Sequence, residues 1–128
     1  MLNAKRQVQL LSVIMLVWLV VGVTSGCSEN KLTPIPLEGT ILAFGDSLTA
    51  GVGTTKDKSY PSVLAELTGR HIINAGISGE ETKAGLQRFE HVLVQSKPDL
   101  VILLEGGNDI LRNRKLSNTK KNLAAMFG

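Results

Sequence analysis

The stretch Thr40–Thr49 reads T-I-L-A-F-G-D-S-L-T. Four consecutive apolar residues, Ile41 to Phe44, run into Gly45 and then into Asp46 and Ser47. An apolar run without alternation suits a strand covered on both faces, as in a parallel sheet. A serine one step past such a strand stands at the carboxyl edge of the sheet, where open α/β folds place their ligands. Ser47 is therefore a candidate nucleophile on a tight strand-to-helix turn, with Asp46 beside it in support. Gly-Asp-Ser is equally ordinary turn and helix-cap chemistry, so on this stretch alone both readings stand. The G-x-S-x-G elbow is absent, because Thr49 occupies the place of its second glycine. A phosphate loop is absent too: no lysine follows a glycine in the needed register, and Gly51-Val52-Gly53 lacks the third glycine of the dinucleotide fingerprint.

Downstream, Ala50 to Ser59 is polar and reads as a loop over the sheet edge. Ser59 precedes Tyr60 and Pro61, and Val63, Leu64 and Leu67 recur at helical spacing until Gly69. Pro61 fits the first helical position and Gly69 the stop. His71 to Ala75 predicts a second strand, ended by Gly76-Ile77-Ser78-Gly79. Glu80, Glu81 and Thr82 open a helix, where acids complement the dipole. Its core stripe is Leu86, Phe89 and Leu93, with Val92 beside them. Pro98 and Asp99 break that helix, and the apolar Leu100 to Leu104 predicts a third strand. After a basic stretch, Ser117 or Asn118 is expected to cap a last helix carrying Leu123 and Met126.

The resulting order, β-α-β-α-β-α, predicts an α/β fold with parallel strands and right-handed crossovers. Each strand ends in a glycine-bearing turn that holds one group of catalytic type: Ser47, Gly79 and Asn108. With the first strand between the other two, all three meet at one sheet edge. Acyl transfer needs a nucleophile and fixed donors for the developing oxyanion. Ser47 Oγ can attack, and the Ser47 and Gly79 N–H groups with the Asn108 amide can donate. Taken singly, each is also an unremarkable turn residue.

Upstream, Lys5 and Arg6 precede a 14-residue apolar run, Leu10 to Val23, and then Thr24-Ser25-Gly26-Cys27. A basic start, a short apolar core and small residues describe a secretory signal. The run is short for a bilayer span of about 20 residues. Cys27 is the lone cysteine, which excludes an internal disulfide. Its setting resembles a bacterial lipoprotein cleavage box, although Thr24 stands where an aliphatic is usual. The expected organisation is a lipoprotein-type signal over 1–26, a tether over 27–39 with lipidated Cys27 at its head, and a folded part from Thr40. That places the protein across the inner membrane, periplasmic or lipid-anchored, at the outer membrane if the host has one.

The chain has 128 residues, enough for at most one domain, and at 43% hydrophobic and 20% charged its composition is globular. Its net charge is +3 from 14 basic and 11 acidic residues; without Lys5 and Arg6 the balance is 12 against 11. That leaves no case for a nucleic-acid partner. The basic cluster Arg112, Arg114, Lys115, Lys120 and Lys121 is expected to be a solvated face.

Gly45-Asp46-Ser47-Leu48 resembles the first block of the GDSL, or SGNH, hydrolases. Ile77-Ser78-Gly79 resembles the second block, and Gly106-Gly107-Asn108-Asp109 the G-x-N-D third. From Thr40 to Met126 the chain is similar to the bacterial arylesterase, thioesterase I and lysophospholipase branch. The resemblance implies Ser47 as nucleophile, and Ser47, Gly79 and Asn108 as the oxyanion hole. It implies a flavodoxin-like three-layer α/β/α sandwich, usually of five parallel strands, of which the first three are here. It further implies no metal or organic cofactor, and a small acyl-ester, thioester or lysophospholipid substrate. The family's base comes from a D-x-x-H block, and this sequence contains none. His71 begins a strand and His91 lies mid-helix, so neither is expected to replace it. Residues 40–128 then read as the N-terminal part of such a domain, inactive by themselves and with an apolar sheet edge open. A catalytically inactive lipid-anchored remnant or binding protein is the alternative.

Overall fold

A computed structural model of the chain describes residues 33–127, together with residue 3. The expected signal apart from residue 3, the Cys27 box and the tether up to residue 32 lie outside the described residues. All elements below belong to the compact unit Pro34–Gly128.

Strand β1 spans Thr40–Gly45. A short helix, α1, spans Ser47–Ala50, and a single 3-10 turn occupies Lys56–Lys58 in the expected loop. Helix α2 covers Tyr60–Thr68, with proline in its first turn and Gly69 left-handed at its end. Strand β2 is His71–Gly76 and helix α3 is Thr82–Ser96. Strand β3 is Leu100–Leu104, followed by helices α4, Gly107–Leu111, and α5, Leu116–Phe127.

The sheet order is β2-β1-β3, all parallel. The chain steps outward from β1 to β2 and then returns past β1 to β3. Right-handed crossovers in opposite directions put their helices on opposite faces, and the reversal makes β1 the switch point. Leu42 aligns with Ile73 and Val101, and Phe44 with Ala75 and Leu103. Because side chains alternate between faces, these rows form one apolar layer. Against it pack Leu86, Phe89, Val92 and Leu93 of α3 and Leu123 and Met126 of α5. Asn74 points to the other face, where its amide donates to the Thr49 carbonyl at 2.9 Å and α1 and α2 lie against β2.

Ile41 to Phe44 are buried on both sides, as their unbroken apolar run requires. Phe44 meets Phe89 edge-on, ring centroids 4.9 Å apart, a geometry that adds about 1 kcal/mol to plain burial. Gly45 and Gly76 let α1 sit directly on the strand ends. A Cβ at Gly76 would lie 2.1 Å from the Ala50 nitrogen, and one at Gly45 2.3 Å from Thr49 Oγ1.

Three expectations need correction. Helix α3 begins at Thr82, so Glu80 and Glu81 precede it, and neither caps it with its side chain. Helix α5 begins at Leu116, which puts Ser117 and Asn118 inside its first turn instead of at its cap. The stretch after β3 is not only a turn: it contains α4, too short and too polar to show a stripe.

Candidate active site

Ser47 is the first residue of α1, immediately past the buried strand. Asp46 caps that helix: its Oδ1 accepts from the Leu48 N–H at 2.9 Å. The Asp46 N–H donates across the sheet edge to the Leu104 carbonyl at 3.3 Å, locking the turn to β3. Asp46 is buried, whereas Ser47 is half-buried. The Ser47 N–H stands at the amino end of its helix, where helical geometry leaves it no acceptor. Among the described residues, no main-chain bond outside the strand ladders engages it.

Gly79 lies in the β2–α3 loop, which is tied back to the strand end by the Ile77 N–H donating to the Gly45 carbonyl at 2.9 Å. Its φ of +75° is left-handed, a conformation costly for any residue with a Cβ. Its carbonyl accepts from Arg112 Nη1 at 2.8 Å. Its N–H, like that of Ser47, has no main-chain acceptor in the loops among the described residues.

Asn108 belongs to α4. Its Nδ2 donates to the Glu80 carbonyl at 2.9 Å and to Asp46 Oδ2 at 3.2 Å. Both partners are pure acceptors, which fixes the amide orientation. The three turns therefore converge as the strand order demands: Asn108 bridges the β1–α1 turn and the β2–α3 loop. Its two amide hydrogens are held by those partners, an engagement sequence reasoning did not anticipate.

Asp109, distant in sequence, supplies the side-chain cap of α3. Its Oδ2 accepts from the Thr82 N–H at 2.8 Å, and its Oδ1 from the Thr82 and Thr119 hydroxyls at 2.6 and 3.1 Å. Burial alone would raise the Asp109 pKa, but the Thr82 side chain and N–H and the Thr119 hydroxyl outweigh it and hold the carboxyl below the usual range. Glu81 accepts from Arg114 at 2.7 Å and Arg112 at 2.9 Å, and hydrogen bonding from Arg114 is the main cause of its lowered pKa. The basic cluster is thus partly paired, not simply a solvated face.

Beneath the turns lies a charged layer. Arg88 of α3 holds its guanidinium 3.9 Å from the Phe44 ring centre. It donates through Nε to Glu80 Oε1 at 2.8 Å and through Nη2 to the Ala75 carbonyl at 2.9 Å, and its Nη2 also pairs with Glu80 Oε2. Glu80 is buried. Glu105, the first residue past β3, is the second acid of this layer. The signals for these residues are an arginine inside the apolar stripe of α3 and a glutamate directly ending a wholly apolar strand.

His71 opens β2 at the amino edge of the sheet, facing Thr40 Oγ1 at 3.4 Å, while Ser47 is at the carboxyl edge. His91 is exposed on α3. A cavity of about 350 Å³ adjoins Gly79, lined also by Glu80, Glu81, Lys83, Ala84 and Gln87. Four exposed apolar side chains, Leu48, Val52, Ile77 and Ile110, lie within five residues of Ser47, Gly79 or Asn108 in sequence.

A profile of the GDSL-like Lipase/Acylhydrolase family matches residues 43–128. An arylesterase of Vibrio mimicus is 40% identical over 92 residues, which cover 68% of this chain and 46% of that protein. The thioesterase 1/protease 1/lysophospholipase L1 of Escherichia coli K12 is 35% identical over 86 residues, 66% of this chain and 41% of that one. The crystal structure of AlinE4, an SGNH-hydrolase family esterase, superposes with a TM-score of 0.65 at 43% identity, over 73% of this chain and 53% of AlinE4. The chain spans about half the length of the relatives it matches.

Proposed function

Because the chain belongs to the GDSL-like lipase/acylhydrolase family, we propose that it carries the nucleophile and oxyanion site of a serine hydrolase for small acyl esters, thioesters or lysophospholipids. The observation that carries this is the bridge from Asn108 to both Asp46 and the Glu80 carbonyl, which draws the Ser47, Gly79 and Asn108 turns to one sheet edge. Arylesterase, thioesterase and lysophospholipase relatives support the substrate range. The exposed apolar side chains Leu48, Val52, Ile77 and Ile110, close in sequence to the three turns, suit an acyl chain.

In the proposed reaction, Ser47 Oγ attacks the acyl carbonyl, its proton passing to a base. Negative charge gathers on the carbonyl oxygen, where the Ser47 and Gly79 N–H groups are free to receive it. The Asn108 hydrogen held by Asp46 is on the longer of its two bonds, and the oxyanion takes it over. Collapse expels the alcohol or thiol and leaves an ester on Ser47, which water cleaves to release the acid.

The base is outside the reading of these residues: no D-x-x-H occurs, His71 is at the opposite sheet edge, and His91 is on a helix exterior. Residues 1–128 alone are therefore proposed to be inactive or nearly so, because loss of a triad member costs on the order of 10⁴ or more in rate. That same feature favours the second reading, an inactive anchored remnant or binding protein. Either way we place the protein outside the inner membrane, held through lipidated Cys27, with several acyl chains giving stable anchoring. The intact mass from host membranes tests the anchor: a mass without lipid at Cys27 rejects it. Turnover tests the chemistry: Ser47→Ala in the protein purified from its host should abolish ester hydrolysis, and retained hydrolysis refutes the nucleophile.

A further inference from the structure

Both carboxyl oxygens of Glu105 are buried, and no N–H or hydroxyl group among the described residues donates to either. A buried carboxylate without donors is among the costliest arrangements a fold can hold. Its surroundings make ionisation worse. Glu80, from the β2–α3 loop, and Asp46, from the β1–α1 turn, both press on it with like charge. Arg88, three residues beyond Gly85 on α3, sends its hydrogen bonds to Glu80 and to the Ala75 and Gly45 carbonyls. The Gly85 backbone leaves Glu105 room, since a Cβ there would stand 3.4 Å from Glu105 Oε1, and the Met126 thioether lies beside Gly85.

Two carboxyls placed side by side can share one proton, the acid of one donating to the carboxylate of the other. The two acids nearest Glu105 are also those that grip Asn108. Glu80 does so through its carbonyl, Asp46 through Oδ2.

We propose that Glu105 is a positioning residue for the Asn108 amide: it remains a carboxylic acid, donates its proton to the Glu80 carboxylate, and keeps Glu80 and Asp46 where they hold Asn108. Ionisation adds a third negative charge beside Glu80 and Asp46. Repulsion then pushes the Glu80 loop and the Asp46 turn apart and releases the amide between them. Desolvation, followed by the Glu80 and Asp46 charges, raises the Glu105 pKa to about 8, so the change falls in mildly alkaline solution. This rests on the reading of Asn108 as an oxyanion donor, but its test needs no turnover.

The experiment is NMR titration of the protein with carboxyl-labelled glutamate and labelled asparagine amides, with Glu105→Gln to assign and to challenge. The Glu105 carboxyl carbon is expected to titrate near pH 8, and the Asn108 side-chain amide to shift with the same midpoint. In the Gln variant, whose amide donates to Glu80 at every pH, the Asn108 shift should be flat across that range. Titration of Glu105 in the ordinary carboxylate range would overturn the proposal. So would an Asn108 amide indifferent to the Glu105 midpoint, or one that shifts identically in Glu105→Gln. The wild-type titration alone decides the first two points if the variant does not fold. Failure of the esterase reading would show separately, as absent Ser47 chemistry with this coupling intact.

Discussion

At the scale of single residues the site is a set of donors held by acids. Asn108 is the clearest case, because its amide nitrogen has two acceptors and both belong to neighbouring turns. Replacing Asn108 by Ala in the complete protein should lower kcat by about 10²–10³, the usual loss for one oxyanion donor, with a much smaller change in KM. Steady-state kinetics on a soluble ester checks this, and a loss confined to KM would assign Asn108 to ground-state binding. Glu105 gives a second residue-scale prediction, in stability. Its folded pKa, about 8, lies above the ordinary 4.5, so the folded state binds the proton more tightly than the unfolded one. The stability it contributes is full below about pH 4.5 and is lost as pH rises through 8. Urea midpoints should therefore fall from pH 5 to pH 8.5 in wild type, and fall less in Glu105→Gln. Equal pH slopes in the two proteins would contradict it.

Elements, taken one level up, are joined by contacts far apart in sequence. Helix α3 is capped by Asp109, 27 residues beyond Thr82, while the adjacent Glu81 turns away to Arg112 and Arg114. Asp109→Ala would leave the Thr82 N–H and two hydroxyls without their acceptor, in a buried place. The expected cost is roughly 3 kcal/mol, read by chemical denaturation. Helix α1 depends on missing side chains. Gly76→Ala would drive a methyl into the Ala50 backbone, so α1 must move and carry Ser47 with it. That variant should lose Ser47 reactivity by more than it loses folding stability, and unchanged reactivity would show that α1 tolerates displacement. The strands were legible because short, largely apolar stretches such as Ile41–Phe44 and Leu100–Leu104, each leading into a glycine-bearing turn, have few other meanings, and α2 because Pro61 and Gly69 mark its ends. By contrast α4 was not legible, since five residues beginning Gly107-Asn108-Asp109 carry no stripe. The cap of α3 was hidden because its donor and acceptor are brought together only by the sheet order.

For the molecule as a whole, the parallel α/β class was readable, while the strand order and the charged layer were not. Convergence of the three turns required β1 to lie between the other strands, and the order is β2-β1-β3. Glu80, Arg88 and Glu105 read separately as a helix-dipole acid, an ordinary helix residue and a turn acid, because nothing local says that they share one buried place. The same order leaves β2 and β3 as edges. Leu100 and Leu104 of β3 are about 40% exposed, and among the described residues no strand pairs with the outer side of β3. An apolar strand edge of this kind recruits other strands. Residues 28–128 alone should associate, seen as mass rising with concentration in analytical ultracentrifugation, and a concentration-independent monomer would contradict this. Central to all three scales is the claim that the turns converge to make Ser47 a nucleophile. The most direct test is labelling of the protein, isolated from its host, with an alkyl fluorophosphonate, followed by peptide mapping. The expected result is one phosphonyl adduct, on Ser47, that is absent in Ser47→Ala. No adduct on Ser47, or equal labelling of the alanine variant, would contradict the account.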